Sequence, residues 1–255
     1  MKLLSVVTVV KDDLNSLKST GTSLEMLKYP HEWIVVDGGK DFETIEWMQT
    51  KIGSFVTYLH EPDKNLYDAM NKGIRMCSGS HTIFVNAGDE ISKTNQVNLI
   101  LNDLEEDEGF IGCIERKEKR RGFSDVVIKP SRFAAWLIKY GIKPTSHQAT
   151  IYPLNFLKEH PYDVNVGLVA DQLSIMNLLK NRKVRMNFSE VICDFKSGGL
   201  GDRQPKGAFF RQMFAYRCSH ASYFKLVSEV ILVFPILMIK ITFSTVGKFR
   251  LLRIR

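Results

Sequence analysis

The chain has 255 residues, 44% of them hydrophobic and 25% charged, an ordinary globular composition that suffices for one large domain with its own core, or a domain with an appendage. Thirty-five Lys and Arg against 28 Asp and Glu leave a net charge of +7, which favours an anionic partner such as nucleotide phosphate, a lipid head group or nucleic acid. Cys77, Cys113, Cys193 and Cys218 lie far apart with no CxxC pair, which argues against a zinc site or disulfide framework and makes a reducing compartment the expectation.

The N-terminal apolar stretch is too short and too quickly followed by acids for a signal peptide, so LLSVVTVV (3–10) reads as a buried first strand. Leu14, Leu17, Leu24 and Leu27 give helical spacing over 13–28. EWIVVDGG (32–39) and FVTYLHEP (55–62) follow as strands, then a helix over 66–78 and the strand HTIFVNAGD (81–89). Short β-branched runs alternating with helices imply βαβ units and a largely parallel sheet covered on both faces, an α/β fold. The alternation fades after about residue 116. KEKRRGFSD (117–125) reads as a solvated basic loop, RFAAWLIKYG (132–141) as a short helix ended by glycine, and DQLSIMNLLKN (171–181) as an amphipathic helix. VRMNFSEVICDF (184–195) reads as a strand pair or a long edge strand, before the glycine turn SGGLG (197–201). From Ala208 the pattern is helical to near the end. The uncharged run VILVFPILMI (230–239) contains Pro235 and falls well short of the roughly 20 apolar residues that span a bilayer. The expected organisation is one domain over 1–205 and a C-terminal helical extension over 206–255.

In open α/β sheets ligands bind beyond the carboxyl ends of the strands. Thr8 with Lys11, Asp37 in VVDGG and Asp89 in VNAGD stand at such ends, with glycines beside the two acids that let a backbone approach a ligand. The plainer reading is that both acids start turns, and Asp171 before an apolar helical run reads by itself as a helix cap. A strand-end carboxylate is also a hard-oxygen ligand for Mg2+ or Mn2+, which use one or two carboxylates plus substrate phosphates. Asp89 fits that role, supported by Glu90 or the Asn86 amide. HExxH, P-loop and GxGxxG patterns are absent, which leaves metalloprotease, Walker-type kinase and NAD readings without support.

In their order and spacing, SVVTVVKDD, WIVVDGG, EPDKNLYDAMNKGI and FVNAGDE resemble the family 2 glycosyltransferases of the GT-A fold, in particular bacterial enzymes that build colanic acid and O-antigen repeat units. The likeness continues through SHQAT (146–150), ADQLSIMNLL (170–179) and FKSGGLG (195–201), and so covers roughly residues 1–205. The resemblance implies a Rossmann-like, mostly parallel sheet flanked by helices. It implies that Thr8, Val9 and Asp37 line the base and ribose pocket, and that Asp68, Asn71 and Lys72 lie beside the nucleotide with Lys72 meeting phosphate charge. Asn86 would join the nucleotide-sugar site, Asp89 would bind a Mn2+ or Mg2+ bridging the diphosphate, and His147 and Gln148 would sit near the diphosphate or acceptor. Asp171 matches the general base. The implied activity is inverting, metal-dependent transfer of a hexose, glucose or galactose, from a UDP-sugar to a polyprenyl-diphosphate-linked saccharide in surface polysaccharide synthesis. The chain departs from the family pattern where Asn86 and Gly88 replace acids of the metal motif, where Met70 stands for a common Arg, and where Ala170 precedes Asp171 in place of Glu.

Residues 220–255 carry Lys225, Lys240, Lys248, Arg250, Arg253 and Arg255 against the single acid Glu229. Apolar residues interleaved with that basic set suit a helix at an anionic membrane surface, and the expected location is cytoplasmic, peripheral to the inner face of the membrane. The alternative is packing on the domain, or a homodimer contact. A nucleic-acid partner is not expected, because no recognisable binding module interleaves aromatics with the basic residues. Two rival activities stand beside the transferase. A noncatalytic nucleotide- or anion-binding protein at the membrane would bind UDP without turnover, and a nucleotidyltransferase would need a glycine-rich basic loop where TVVKDDLNS stands.

Overall fold

The computed structural model describes residues 3–91, 94–117, 126–127, 137–141, 145–196, 205, 207–220 and 235. Strand β1 (Leu4–Val10) is buried along nearly its whole length, as its run of aliphatic residues requires of a strand covered on both faces. It pairs in parallel with β2 (His31–Asp37) and β4 (His81–Phe84), and β2 pairs in parallel with β3 (Val56–His60). The crossovers are α1 (Leu14–Glu25), α2 (Phe42–Gln49) and α3 (Leu66–Met76). Their starts are fixed by side-chain caps: Asp13 accepts from the Ser16 N–H, Asp41 from those of Glu43 and Thr44, and Asn65 from those of Tyr67 and Asp68.

Alternation along the strands sends side chains to two cores. On one face Val6 and Val35 join Leu17 and Leu24 of α1, Met48 of α2 and Trp33. On the other, Val7, Ile34 and Val36 join Ala69, Met70 and Ile74 of α3 with Phe84 and Tyr152. Helix α3 lies so close to the sheet that a Cβ at Gly73 would stand 2.5 Å from Val7 Cγ1, closer than packing tolerates.

The second half differs from a plain α/β continuation. After β5 (Glu90–Ile91) come α4 (Thr94–Asp103), β6 (Gly109–Lys117), β7 (Val126–Val127) and β8 (Thr150–Pro153). Then follow α5 (Leu154–Glu159), α6 (Ala170–Asn181), β9 (Val184–Lys196) and α7 (Ala208–His220). The sheet order is β3-β2-β1-β4-β8-β6-β9-β5, with β7 paired to β6. β8 runs antiparallel to β4 and β6, β9 runs parallel to β6, and β5 closes the row antiparallel to β9. The stretch expected as a strand pair or an edge strand is therefore one 13-residue strand with neighbours on both sides. Register shifts near Cys113 let it follow β6 along a curled sheet.

These antiparallel pairings position the loops of interest. Because Thr82 faces Tyr152 and His81 faces Pro153, residues preceding β8 project beyond the carboxyl end of β4. Because Glu90 faces Asp194, the end of β9 at Lys196 returns alongside Gly88 and Asp89. Helix α7 lies in the segment expected as an extension, and its Met213, Phe209 and Phe210 share an apolar cluster with Val166, Val169, Leu173 and Met176. No helix among the described residues is long and apolar enough to cross a membrane. The basic loop after Lys117, Trp136, the turn SGGLG and the basic-apolar segment after His220 lie outside the described residues.

Candidate active site

The segment after β4, helix α1, the approach to β8 and the end of β9 converge around Asp89. The side chain of Asp89 is 3% exposed. Its Oδ1 accepts the Lys196 backbone N–H at 3.0 Å and its Oδ2 accepts Gln148 Nε2 at 3.1 Å, while its own carbonyl accepts from Thr20 Oγ1 at 2.7 Å. Burial pushes its pKa up to about 6, against the opposing pull of those donors and of His147. Gly88, at φ 96°, makes the turn that presents this carboxylate, and a Cβ there would stand 2.6 Å from Lys196 Cδ.

His147 and Gln148 start a short 3-10 turn (His147–Ala149) capped by Ser146, immediately before β8. Asn86 Nδ2 lies 3.2 Å from His147 Nε2; with the amide donating, the ring proton resides on Nδ1. That Nδ1 is 3.4 Å from Asp171 Oδ2, with no hydrogen bond formed between them. Phe84 supports the imidazole edge-on. Asp171 sits in the first turn of α6, its Oδ1 accepting the N–H of Gln172. Asp171 is therefore not the cap of α6: Ala170 and Asp171 are already helical, and the cap position, Val169, has no side-chain bond. A chain of neighbours thus links Asp89 through Gln148 and His147 to Asp171, with Asn86 on the same side. Two buried atoms of this cluster, Asn86 Oδ1 and His147 Nδ1, have no hydrogen-bond partner among the described residues. Buried polar atoms are nearly always satisfied, so two of them side by side leave room here for a water or a bound group to complete them.

The other expected site residues are more fully engaged within the protein. Asp37 is 1% exposed; Oδ1 accepts the Gly39 N–H at 2.8 Å and Oδ2 accepts Tyr58 Oη at 2.8 Å. Burial, then the Asp37 carboxylate, pushes the Tyr58 phenol well above its ordinary range. Thr8 is fully buried, its hydroxyl donating to the Val85 carbonyl and accepting from Trp33 Nε1. Val9 packs on the core shared by α3, and its carbonyl accepts the Ala87 N–H. Asn71 bonds reciprocally to the backbone of Tyr162, donating at 2.8 Å and accepting at 2.9 Å. Asp68 accepts the Lys64 N–H, which with Lys72 holds its carboxyl below the usual range.

Lys72 is the most constrained of the set. It is 7% exposed and its ammonium lies 2.6 Å from Asp63, 2.9 Å from Glu61 and 3.7 Å from Asp68, with the Pro62 carbonyl at 2.7 Å. Burial alone would lower its pKa, but the acids outweigh burial and raise it. Three carboxylates around one ammonium leave no net positive charge to offer. Next to this, Asp12 at φ 53° accepts the N–H groups of Lys40 and Asp41, clipping the loop after β1 to the loop after β2.

Lys196 carried no assignment from the sequence. Its Nζ donates to Ser16 Oγ at 2.5 Å, and Ser16 in turn donates to the cap residue Asp13. The strand-end rule that picks out Asp37 and Asp89 would also have picked out this lysine, had β9 been assigned its direction in the sheet. Among the described residues, no three His, Cys, Asp or Glu side chains gather as a metal cage.

The family model for glycosyl transferase family 2 matches residues 5–152, more than half of the chain. The chain belongs to glycosyl transferase family 2. Among curated relatives, an uncharacterised glycosyltransferase of Mycobacterium tuberculosis is 28% identical over 210 residues, 81% of this chain and 79% of that protein. A PGL/p-HBAD biosynthesis glycosyltransferase of Mycobacterium bovis is 26% identical over 153 residues, 55% of each chain. Among solved structures, S. aureus TarS in complex with UDP-GlcNAc superposes with a TM-score of 0.66 at 17% identity, covering 100% of this chain and 76% of that one. The mannosyltransferase PcManGT of Pyrobaculum calidifontis, in complex with GDP-Man and Mn2+, gives 0.58 at 14% identity, covering 96% and 75%. The fold is GT-A, and the family 2 assignment makes the protein a glycosyltransferase.

Proposed function

We propose that the protein transfers a hexose, glucose or galactose, from a UDP-sugar to a lipid-linked saccharide with inversion, at the cytoplasmic face of the membrane. The observation that carries this reading is the linked cluster of Asp89, Gln148, His147, Asn86 and Asp171, which brings a candidate metal ligand and a candidate base together. UDP as the nucleotide is supported by the TarS complex with UDP-GlcNAc. A carboxylate whose buried charge needs compensation and an unpartnered amide oxygen beside it suit a hard cation that takes its remaining ligands from phosphate. Asp89, with Asn86 Oδ1 beside it, would hold Mn2+ or Mg2+, which would offset the charge growing on the departing diphosphate.

In this reading Asp171 accepts the proton of the acceptor hydroxyl as that oxygen bonds to the anomeric carbon and the bond to the diphosphate oxygen breaks. One displacement with no enzyme nucleophile turns an α-linked donor into a β-linked product. The lipid-linked acceptor and the membrane location rest on the basic-apolar composition of residues 220–255.

The test is UDP release from a panel of UDP-sugars with a synthetic GlcNAc- or GalNAc-diphosphate-lipid acceptor, with Mn2+ or EDTA. Wild type should turn over one donor in an acceptor-dependent way, and Asp171→Asn, Asp89→Ala and EDTA should each abolish it. UDP binding without turnover across a wide acceptor panel would replace the reading with a noncatalytic nucleotide-binding protein. Turnover that survives Asp171→Asn would remove Asp171 as the base.

A further inference from the structure

A nucleoside diphosphate leaves as a multiply charged anion, and a site with a single strand-end carboxylate as metal ligand needs a cation of its own to stabilise it. The lysine that the family resemblance offers for this, Lys72, is enclosed by Glu61, Asp63 and Asp68. Moving it to a phosphate would strand these acids, of which Asp63 is largely buried.

Lys196 stands where such a cation is wanted. It ends β9, whose antiparallel pairing with β5 returns it beside Gly88. Its backbone N–H holds Asp89 Oδ1 at 3.0 Å, so main chain and side chain leave from the same point next to the metal ligand. The side chain crosses Gly88, its Cδ 2.6 Å from where a Cβ would stand. Lys196 makes no ion pair among the described residues; its ammonium rests on the Ser16 hydroxyl, a replaceable partner, and acts on Asp13 only at longer range, helping to lower that carboxyl. Asp13 is one step further, already accepting from Ser16 through both its backbone and side chain. An exposed ammonium parked on a hydroxyl can turn to an arriving anion, whereas one inside three carboxylates cannot.

We propose that Lys196 is the cation that binds the diphosphate of the donor, reaching it across the turn that Gly88 makes with its positive φ. The inference rests on the donor reading given above and adds the residue that meets its charge.

The test measures binding of UDP, UMP and uridine, each with Mn2+, to wild type, Lys196→Gln and Lys196→Arg. The backbone bond to Asp89 survives in both variants, so the metal ligand stays in place. Lys196→Gln should weaken UDP by about tenfold or more, the size expected for one charge-assisted contact, and leave uridine unchanged. It should also flatten the salt dependence of UDP binding, while Lys196→Arg should restore most of the affinity. Equal UDP affinity in Lys196→Gln and wild type would overturn the proposal while leaving the donor reading intact. Equal loss of UDP and uridine would also overturn it, by marking Lys196 as a structural residue. A wild-type protein that binds no UDP with metal would remove the donor reading itself, and this assignment with it.

Discussion

At the scale of single residues, Asp89 carries the clearest consequence. Its carboxyl is pushed up to about 6, chiefly by burial, so the folded protein holds that proton more tightly than the unfolded chain does. A raised carboxyl contributes stability that is present at low pH and is lost as pH climbs from about 4 to about 6. Asp89→Asn should therefore raise the melting temperature of the metal-free protein above pH 6, by the equivalent of about 2–3 kcal/mol, and have little effect at pH 4. Melting curves at the two pH values check this, and a variant that melts below wild type at neutral pH would show that Asp89 is compensated without metal. His147 gives a second test. An asparagine places its amide nitrogen where Nδ1 stands and a glutamine places it nearer Nε2, so His147→Asn should keep kcat within about tenfold of wild type. His147→Gln should lose more than that, with KM for the donor little changed in either. The opposite ranking would assign the Asn86 contact, not the Asp171 contact, as the one that matters. Asp37 and Asp89 stand out in the sequence as strand-end acids, whereas the local pattern at Asp171 suggests only a helix cap, which it is not, and its place beside His147 needs the fold. The enclosure of Lys72 was legible only in part: the acids of EPDK and the i,i+4 pair with Asp68 are visible, but not that the loop folds back to surround the ammonium.

At the scale of elements, the parallel half was readable, while in the mixed half α6, β9 and the start of α7 could be read as elements but β6, β8 and the strand pairings could not. Strands β1 to β4 and helices α1 and α3 announce themselves by β-branched runs and by helical spacing, and their boundaries move by a few residues, most at β4, which ends at Phe84 so that Asp89 stands in the turn beyond it. Helix α2 leaves little mark in the sequence although Asp41 caps it, because eight residues give too little periodicity. The direction and neighbours of β8 and β9 depend on which distant strand each one meets, which no local pattern records. Helix α3 shows what the expected nucleotide-side residues do within the fold: Asn71 ties it to Tyr162 and Lys72 ties it to the loop carrying Glu61 and Asp63. Lys72→Met should destabilise the protein by about 2–4 kcal/mol, since removing one partner leaves buried charge uncompensated. Urea denaturation measures this, and UDP affinity of the folded variant should stay within a few-fold of wild type. A stable Lys72→Met that loses UDP would return the phosphate role to Lys72.

At the scale of the whole molecule, the excess of +7 is unevenly distributed, with six Lys and Arg against one acid from residue 220 onward. The purified protein should sediment with vesicles containing phosphatidylglycerol, remain in solution with phosphatidylcholine alone, and be released by salt. Replacing Lys248, Arg250, Arg253 and Arg255 with Gln should weaken that association and leave UDP affinity unchanged; undiminished association would locate the membrane contact elsewhere. The bond between Asp89 and the Lys196 backbone joins positions 107 residues apart, and Asn71 reaches Tyr162 across 91. On the ribosome, the first four strands can emerge and pair long before residue 196 has been synthesised. The parallel half of the sheet can thus take shape early, while Asp89, the proposed metal ligand, waits for the last described strand to hold its carboxylate. Order of synthesis thereby becomes a safeguard, since a nascent or prematurely ended chain would have a sheet but no working centre.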